Sequence, residues 1–285
     1  MKTKSLFQYP LIFIMVLLSI GCSSTNYIEI ESKNYDTRVK YIVLHFTSED
    51  INESLRLLTA NSSHSVSSHY LISDRQQSQN SSKPIVYKLV DEEFRAWHAG
   101  SSFWDGERGI NDNSIGIEIV NESKCSVPVV YLENYSDINT KCKFEIYPEE
   151  QIEELIKLIK SIKKRHPKIK SKNIIGHSDI APKRKIDPGP LFPWKQLFDV
   201  GIGAWYSDEI YQSFLRNFSD KMPTVKEVQE QLFRYGYDIK ISGYEDKQSR
   251  DNVRAFQLHF RPSKYDGYID AETAAIIFSL NKIYK

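Results

Sequence analysis

The feature that most limits how this chain can fold is a set of short apolar runs, each carrying one chemically active side chain. YIVLH (41–45) and NIIGH (173–177) both end on a histidine, and SIGIEIV (114–120) sets Glu118 among isoleucines. Such runs are too short for helices, are rich in β-branched residues, and read as strands. Between the last two lies PEEQIEELIKLIKSIKKRH (148–166), in which Ile152, Leu155, Ile156, Ile159 and Ile162 form one helical stripe. Pro148 suits its first turn, with acids at its start and bases at its end as the helix dipole prefers. SSHYLI (67–72) and PIVYKLV (84–90) add strands around a polar loop, and Ser48 is expected to cap a short helix carrying Leu55 and Leu58. Strands alternating with helices predict an α/β fold with a mixed central sheet flanked by helices.

The ends of the 285-residue chain differ from this middle. MKTKSLFQYPLIFIMVLLSIGCSS has two lysines, an apolar run too short to span a membrane, and Gly21-Cys22. It reads as a secretory signal that resembles the bacterial lipobox, with Cys22 as the lipidated residue, although Ser19 stands where an aliphatic residue is usual. Ser23 lacks the aspartate that retains such lipoproteins at the inner membrane, which implies an outer-membrane anchor facing the periplasm. Residues 23–38 are polar and read as a tether. Setting Cys22 aside leaves Cys125 and Cys142, either as a disulfide in an oxidising compartment or as two free thiols. After about Tyr206, VKEVQEQLFRYGYDI, SRDNVRAFQLHFRP and DAETAAIIFSL read as a small all-α module of three helices without an internal repeat. With 38 Lys+Arg against 37 Asp+Glu, the chain has no overall field that would draw it to nucleic acid.

His45 and His177 follow strands, and Asp187 lies ten residues after His177 in GHSDIAPKRKIDPGP, a loop stiffened by Pro182, Pro188 and Pro190. Two histidines and a carboxylate suit a catalytic zinc site, which takes three protein ligands and keeps one position open. From spacing alone, packed or hydrogen-bonded histidines are the commoner alternative.

VLHFTS, SSHYLI, WHAG, NDNSIGIEIVN and GHSDIAPKRKIDPGPLFPW, in this order, resemble the zinc-dependent N-acetylmuramoyl-L-alanine amidases of the AmpD type, most nearly their outer-membrane lipoprotein branch. The resemblance covers nearly all of the mature chain, and its C-terminal part is similar to a peptidoglycan-binding domain. It implies one Zn2+ held by His45, His177 and Asp187, with Glu118 as general base and then acid, and Lys185 stabilising the oxyanion. It implies hydrolysis of the amide between N-acetylmuramic acid and L-alanine, with Trp97, His98 and Asn113 as substrate contacts. The expected organisation is a signal peptide over 1–22, a tether over 23–38 and an amidase domain over 39–206. A linker over 207–222 then leads to a separable peptidoglycan-binding-like domain over 223–285. The expected partners are peptidoglycan or muropeptides and, through Cys22, a membrane; a monomer is expected. A non-catalytic peptidoglycan-recognition lipoprotein is the alternative, disfavoured because no ligand position is substituted. A closed structural zinc site would need a fourth ligand, and none stands at a matching position.

Overall fold

A computed structural model describes residues 28–285 apart from 62–64, 75–82 and 133–134. The signal segment, Cys22 and most of the polar loop after Ile72 lie outside the described residues. Residues 28–36 belong to a unit of their own and are irregular and exposed; Thr37–Lys285 form the second unit.

The strands in chain order are β1 (Tyr41–Phe46), β2 (Tyr70–Ile72), β3 (Val86–Lys88), a hairpin of β4 (Phe103–Trp104) and β5 (Glu107–Arg108), β6 (Ser114–Ile119), a hairpin of β7 (Lys124–Cys125) and β8 (Cys142–Lys143), and β9 (Ile174–Gly176). The helices are α1 (Ile51–Thr59), α2 (Tyr135–Lys141), α3 (Glu149–Arg165), the single turn α4 (His177–Ile180), α5 (Trp194–Asp199), α6 (Asp208–Asp220), α7 (Val225–Tyr235), α8 (Lys247–Phe260) and α9 (Ala271–Tyr284). The central sheet has the order β3-β2-β6-β1-β9, antiparallel only at β3. It is a mixed sheet flanked by helices, followed by an all-α module.

Register decides which face does chemistry. In the parallel pair β1 and β6, His45 lies beside Glu118, Val43 beside Gly116 and Tyr41 beside Ser114. Strand side chains alternate, so these share one face while Ile42, Leu44, Ile115, Ile117 and Ile119 take the other. α3 attaches where Gln151 donates to the Val120 carbonyl (2.8 Å) at one end and Arg165 grips Glu92 (2.6 Å) at the other. Its Ile152, Leu155, Ile159 and Ile162 are buried, as the stripe predicts. α1 packs Leu55 and Leu58 on Leu71 of β2. Its cap is Asp50, not Ser48: Asp50 accepts from Asn52 and Glu53 N–H, whereas Ser48 is a left-handed turn residue at φ 60°.

Cys125 and Cys142 form a disulfide that closes the insertion after β6. The insertion buries Leu132 and Ile138 against Ile186 of the proline-rich loop and Leu258 of α8.

The stretch expected to link two modules contains the helix α6, capped by Ser207 and packed along α9. The C-terminal module also contains a repeat. Gln229 donates to the Tyr244 carbonyl (2.9 Å) and Ser249 hydroxyl (2.6 Å) and accepts from Gly243 N–H. Gln257 does the same with the Tyr268 carbonyl (2.9 Å), Thr273 hydroxyl (3.0 Å) and Gly267 N–H. Each glutamine thus fastens a Gly-Tyr loop that leads into an aspartate-capped helix.

Gly116 is required by close approach. A Cβ built there would stand 2.4 Å from the His98 ring, far inside contact distance. Gly116→Ala is therefore expected to destabilise the protein by about 1–3 kcal/mol through overpacking, read as a lowered melting temperature; an unchanged melt would contradict this packing.

Candidate metal centre

His45 at the end of β1, His177 just past β9 and Asp187 ten residues later come together at the carboxyl ends of parallel strands. His45 Nδ1 is 2.9 Å from His177 Nδ1, and both are 3.1 Å from Asp187 Oδ2. All three residues are buried.

The ring nitrogens that face away explain why this triangle suits a cation. His177 Nε2 lies 3.1 Å from the Ala99 carbonyl, which only accepts, so the proton sits on Nε2 and Nδ1 presents a lone pair. Arg184 Nη2, 3.3 Å from the same nitrogen, donates to the Ala99 and Ser101 carbonyls and closes the edge of the ring. His45 Nε2 meets His98 Nδ1 at 3.0 Å, and His98 Nε2 meets Ser114 Oγ at 3.1 Å. Donation in that order leaves the His45 Nδ1 lone pair facing inward. Three lone pairs about 3 Å apart repel unless a cation lies between them. Tetrahedral zinc with ligands at ~2.0–2.1 Å places donor atoms about 3.3 Å apart, close to the observed triangle. The donor set, two imidazoles and one carboxylate, fits a metal.

Ionisation supports the same reading. Burial pushes the His177 pKa down to about 3, so the ring is neutral and ready to ligate. Burial, and then the neighbouring His45, holds His98 well below the usual histidine value. Burial alone would raise the Asp187 carboxyl, but His177, His45 and Lys185 hold it well below the carboxylate range. Glu118 behaves oppositely. Burial, with help from the Asp187 charge, pushes it up to about 7 against the pull of His45 and Lys185.

A cavity of about 200 Å³ opens over the triangle, lined by His45, Glu118, His177, Lys185 and Asp187 and walled by Leu57, Val66 and Trp97. A neighbouring cavity of about 400 Å³ shares Phe46, Ser48, Lys185 and Asp187 with it and runs under the disulfide-closed insertion past Lys124 and Val129. Among the described residues, no hydrogen bond or ion pair engages the Glu118 carboxylate, which faces the cavity from beside His45. Trp97, 53% exposed, stands on the cavity wall.

His98 also lines this cavity, at 8% exposure, with both ring nitrogens committed to His45 and Ser114, so its ring orients His45. Asn113 precedes β6, five residues and about 16 Å from Glu118 at a strand's rise, and its amide donates to Glu107. Several supporting residues were not anticipated. Asn111 Oδ1 accepts from the N–H groups of His98 (3.1 Å) and Ala99 (2.8 Å) and so fixes WHAG beneath the site. The Tyr147 hydroxyl donates to the Pro188 carbonyl (2.7 Å) in the Asp187 loop. Ser114 was detectable by alternation, sharing a face with Glu118, whereas Asn111 and Tyr147 act across distances no local pattern encodes.

This arrangement is a candidate metal site on an α/β amidase fold. The chain belongs to the N-acetylmuramoyl-L-alanine amidase family, whose model matches residues 35–190, and it is an N-acetylmuramoyl-L-alanine amidase. A second model, for a putative peptidoglycan binding domain, matches residues 221–277. The chain is 40% identical over 280 residues to the N-acetylmuramoyl-L-alanine amidase AmiD of Escherichia coli, covering 94% of this chain and 95% of that protein. Among solved structures it is similar to Pseudomonas aeruginosa AmpDh3 in complex with an anhydromuramic pentapeptide (TM-score 0.79, 38% identity, 94% of this chain and 99% of that one). It is likewise similar to E. coli AmiD in complex with anhydro-N-acetylmuramic acid-L-Ala-D-gamma-Glu-L-Lys (TM-score 0.76, 39% identity, 90% and 93%).

The raised Glu118 pKa has a measurable consequence in metal-free protein. From the ordinary value of 4.5 up to about 7, the folded state keeps a proton that the unfolded state releases. Stability therefore falls as pH rises through that window and stays lowered above it. Metal-free Glu118→Gln should melt several degrees above the parent at pH ~8 and match it near pH ~4; equal melting at the higher pH would contradict the assignment.

Proposed function

We propose that the chain holds a single zinc ion on His45, His177 and Asp187 and cleaves the amide between the lactyl group of N-acetylmuramic acid and the L-alanine of the stem peptide. The observation that carries this reading is the triangle of buried donor atoms with Glu118 and Lys185 facing the same cavity. Zinc in such a site supplies Lewis acidity, polarising the scissile carbonyl and lowering the pKa of a coordinated water towards about 7.

The side chains do the remainder. Glu118, with no competing hydrogen bond, takes a proton from the attacking water and returns it to the departing L-alanine nitrogen. Its poise near neutrality lets it serve in both directions, and a nearby divalent charge favours its ionised form. Lys185 faces the cavity beside Asp187, and its charge is close enough to lower both the Glu118 and Asp187 carboxyls. It is placed to stabilise negative charge on the carbonyl oxygen as the tetrahedral centre forms. His98 and the Ala99 carbonyl hold the two imidazoles in the ligating tautomer. Trp97 offers an aromatic face to sugar or peptide.

The substrates are peptidoglycan or muropeptides, in keeping with the anhydromuramic peptides named in the related AmpDh3 and AmiD complexes. The signal segment and Gly21-Cys22 support a lipid anchor on Cys22 at the outer membrane, facing the periplasm. The Cys125–Cys142 disulfide belongs in such an oxidising compartment.

Release of free stem peptide from purified muropeptides, followed by mass spectrometry, tests this directly. Chelation should abolish release and zinc should restore it. His177→Ala and Glu118→Ala should each lower the rate by at least about 100-fold, and Lys185→Ala by about 100-fold, mainly in kcat. Undiminished release in either of the first two variants would refute the mechanism.

A further inference from the structure

Asp179 lies in the single turn α4, two residues after His177, and is 1% exposed. Its carboxylate is held from three directions. Oδ2 accepts from Gly176 N–H (2.8 Å) and from His259 Nδ1 (2.7 Å), and Oδ1 accepts from the Tyr237 hydroxyl (2.5 Å). Gly176 immediately precedes His177, so the first bond fixes the backbone from which the His177 ring projects. The other two donors belong to the C-terminal module. Tyr237 is fully buried and packs edge-on against Trp104 of β4 (4.9 Å between centroids). The His259 ring is stacked between Trp194 (3.7 Å) and Phe260 (3.9 Å). Trp194 in turn sits so close to Gly176 that a Cβ there would meet its ring at 3.3 Å.

We propose that the C-terminal helical module is a working part of the metal centre, in which Tyr237 and His259 act through Asp179 as positioning residues for His177. The inference rests on the metal reading above. A carboxylate sealed from water needs its donors. Stripped of Tyr237 and His259, Asp179 would keep only the Gly176 N–H and would shift to find other partners, releasing the turn that aims His177 Nδ1. A metal triangle is intolerant of such movement, because its affinity depends on donor atoms held in place by the groups behind them. The module is therefore not separable: a chain ending before α7 would lack both donors and leave the Trp194 face uncovered.

The test is the zinc affinity of the full mature chain, by competition with a chromogenic chelator at neutral pH, alongside thermal melting of the metal-free protein. Tyr237→Phe removes one oxygen, and His259→Phe removes the donor while keeping a ring in the stack. Each should weaken zinc binding several-fold and the pair together roughly 10–100-fold, with His259→Gln recovering part of the loss through its amide donor. Lowered melting temperatures with unchanged zinc affinity would overturn the inference, because purely structural contacts would behave that way. Should the double variant fail to fold, Tyr237→Phe decides alone, and unchanged affinity there overturns the inference. A parent chain that binds no zinc would refute the metal assignment and this coupling together, whereas a zinc-binding parent with unaltered variants would refute only the coupling.

Discussion

His45 Nδ1, His177 Nδ1 and Asp187 Oδ2, all on buried residues, point lone pairs at one another across 2.9–3.1 Å. That arrangement is unfavourable by itself, and much of the surrounding structure holds it in place. Parallel strands β1 and β9 deliver the two histidines to the same end of the sheet, and the Tyr147 hydroxyl ties down the loop that brings Asp187 back. Behind each ring stands an acceptor, the Ala99 carbonyl for one and His98 with Ser114 for the other. Gly116 is the space that admits His98.

The same logic extends outward. Asn111 fixes the backbone of His98 and Ala99, and Asp179 fixes the backbone before His177. Lys172, 5% exposed, is bonded to Asp105 at the turn of the β4–β5 hairpin and reaches the Tyr235 carbonyl (3.4 Å) in the C-terminal module. Lys285 reaches the same aspartate at 2.5 Å. Buried polar groups of this kind are costly unless satisfied, and here they are satisfied mainly by partners distant in sequence. The amidase sheet and the helical module therefore share one polar framework, which explains why the chain is compact from Thr37 to Lys285.

What could be read from the sequence follows from how local each signal is. Strands β1, β6 and β9, helix α3 and the placing of His45, Glu118, His177 and Asp187 depend on short periodic patterns and on motif order, and the structure brings those four residues into one cavity. Ser48 misled because Asp50, two residues later, competes for the same cap and leaves Ser48 in a left-handed turn. The resemblance of WHAG to a cleft-lining segment gives no sign that the His98 ring, at the cavity floor, is spent on His45 and Ser114. The Gln229 and Gln257 repeat went unseen because its glutamine-to-glycine spacings are 14 and 10 residues, so no fixed period aligns them. The roles of Asp179, Tyr237 and His259 were invisible for a different reason. Their meaning lies in contacts across 58 and 80 residues, which no window on the chain contains.

The most direct test of the central claim is a zinc-edge anomalous difference map from crystals of the zinc-loaded protein. The account predicts one peak within bonding distance of His45 Nδ1, His177 Nδ1 and Asp187 Oδ2, with both Nε2 atoms still facing His98 and the Ala99 carbonyl. A peak bound through Nε2 of either ring, or lying away from these three residues, would contradict it.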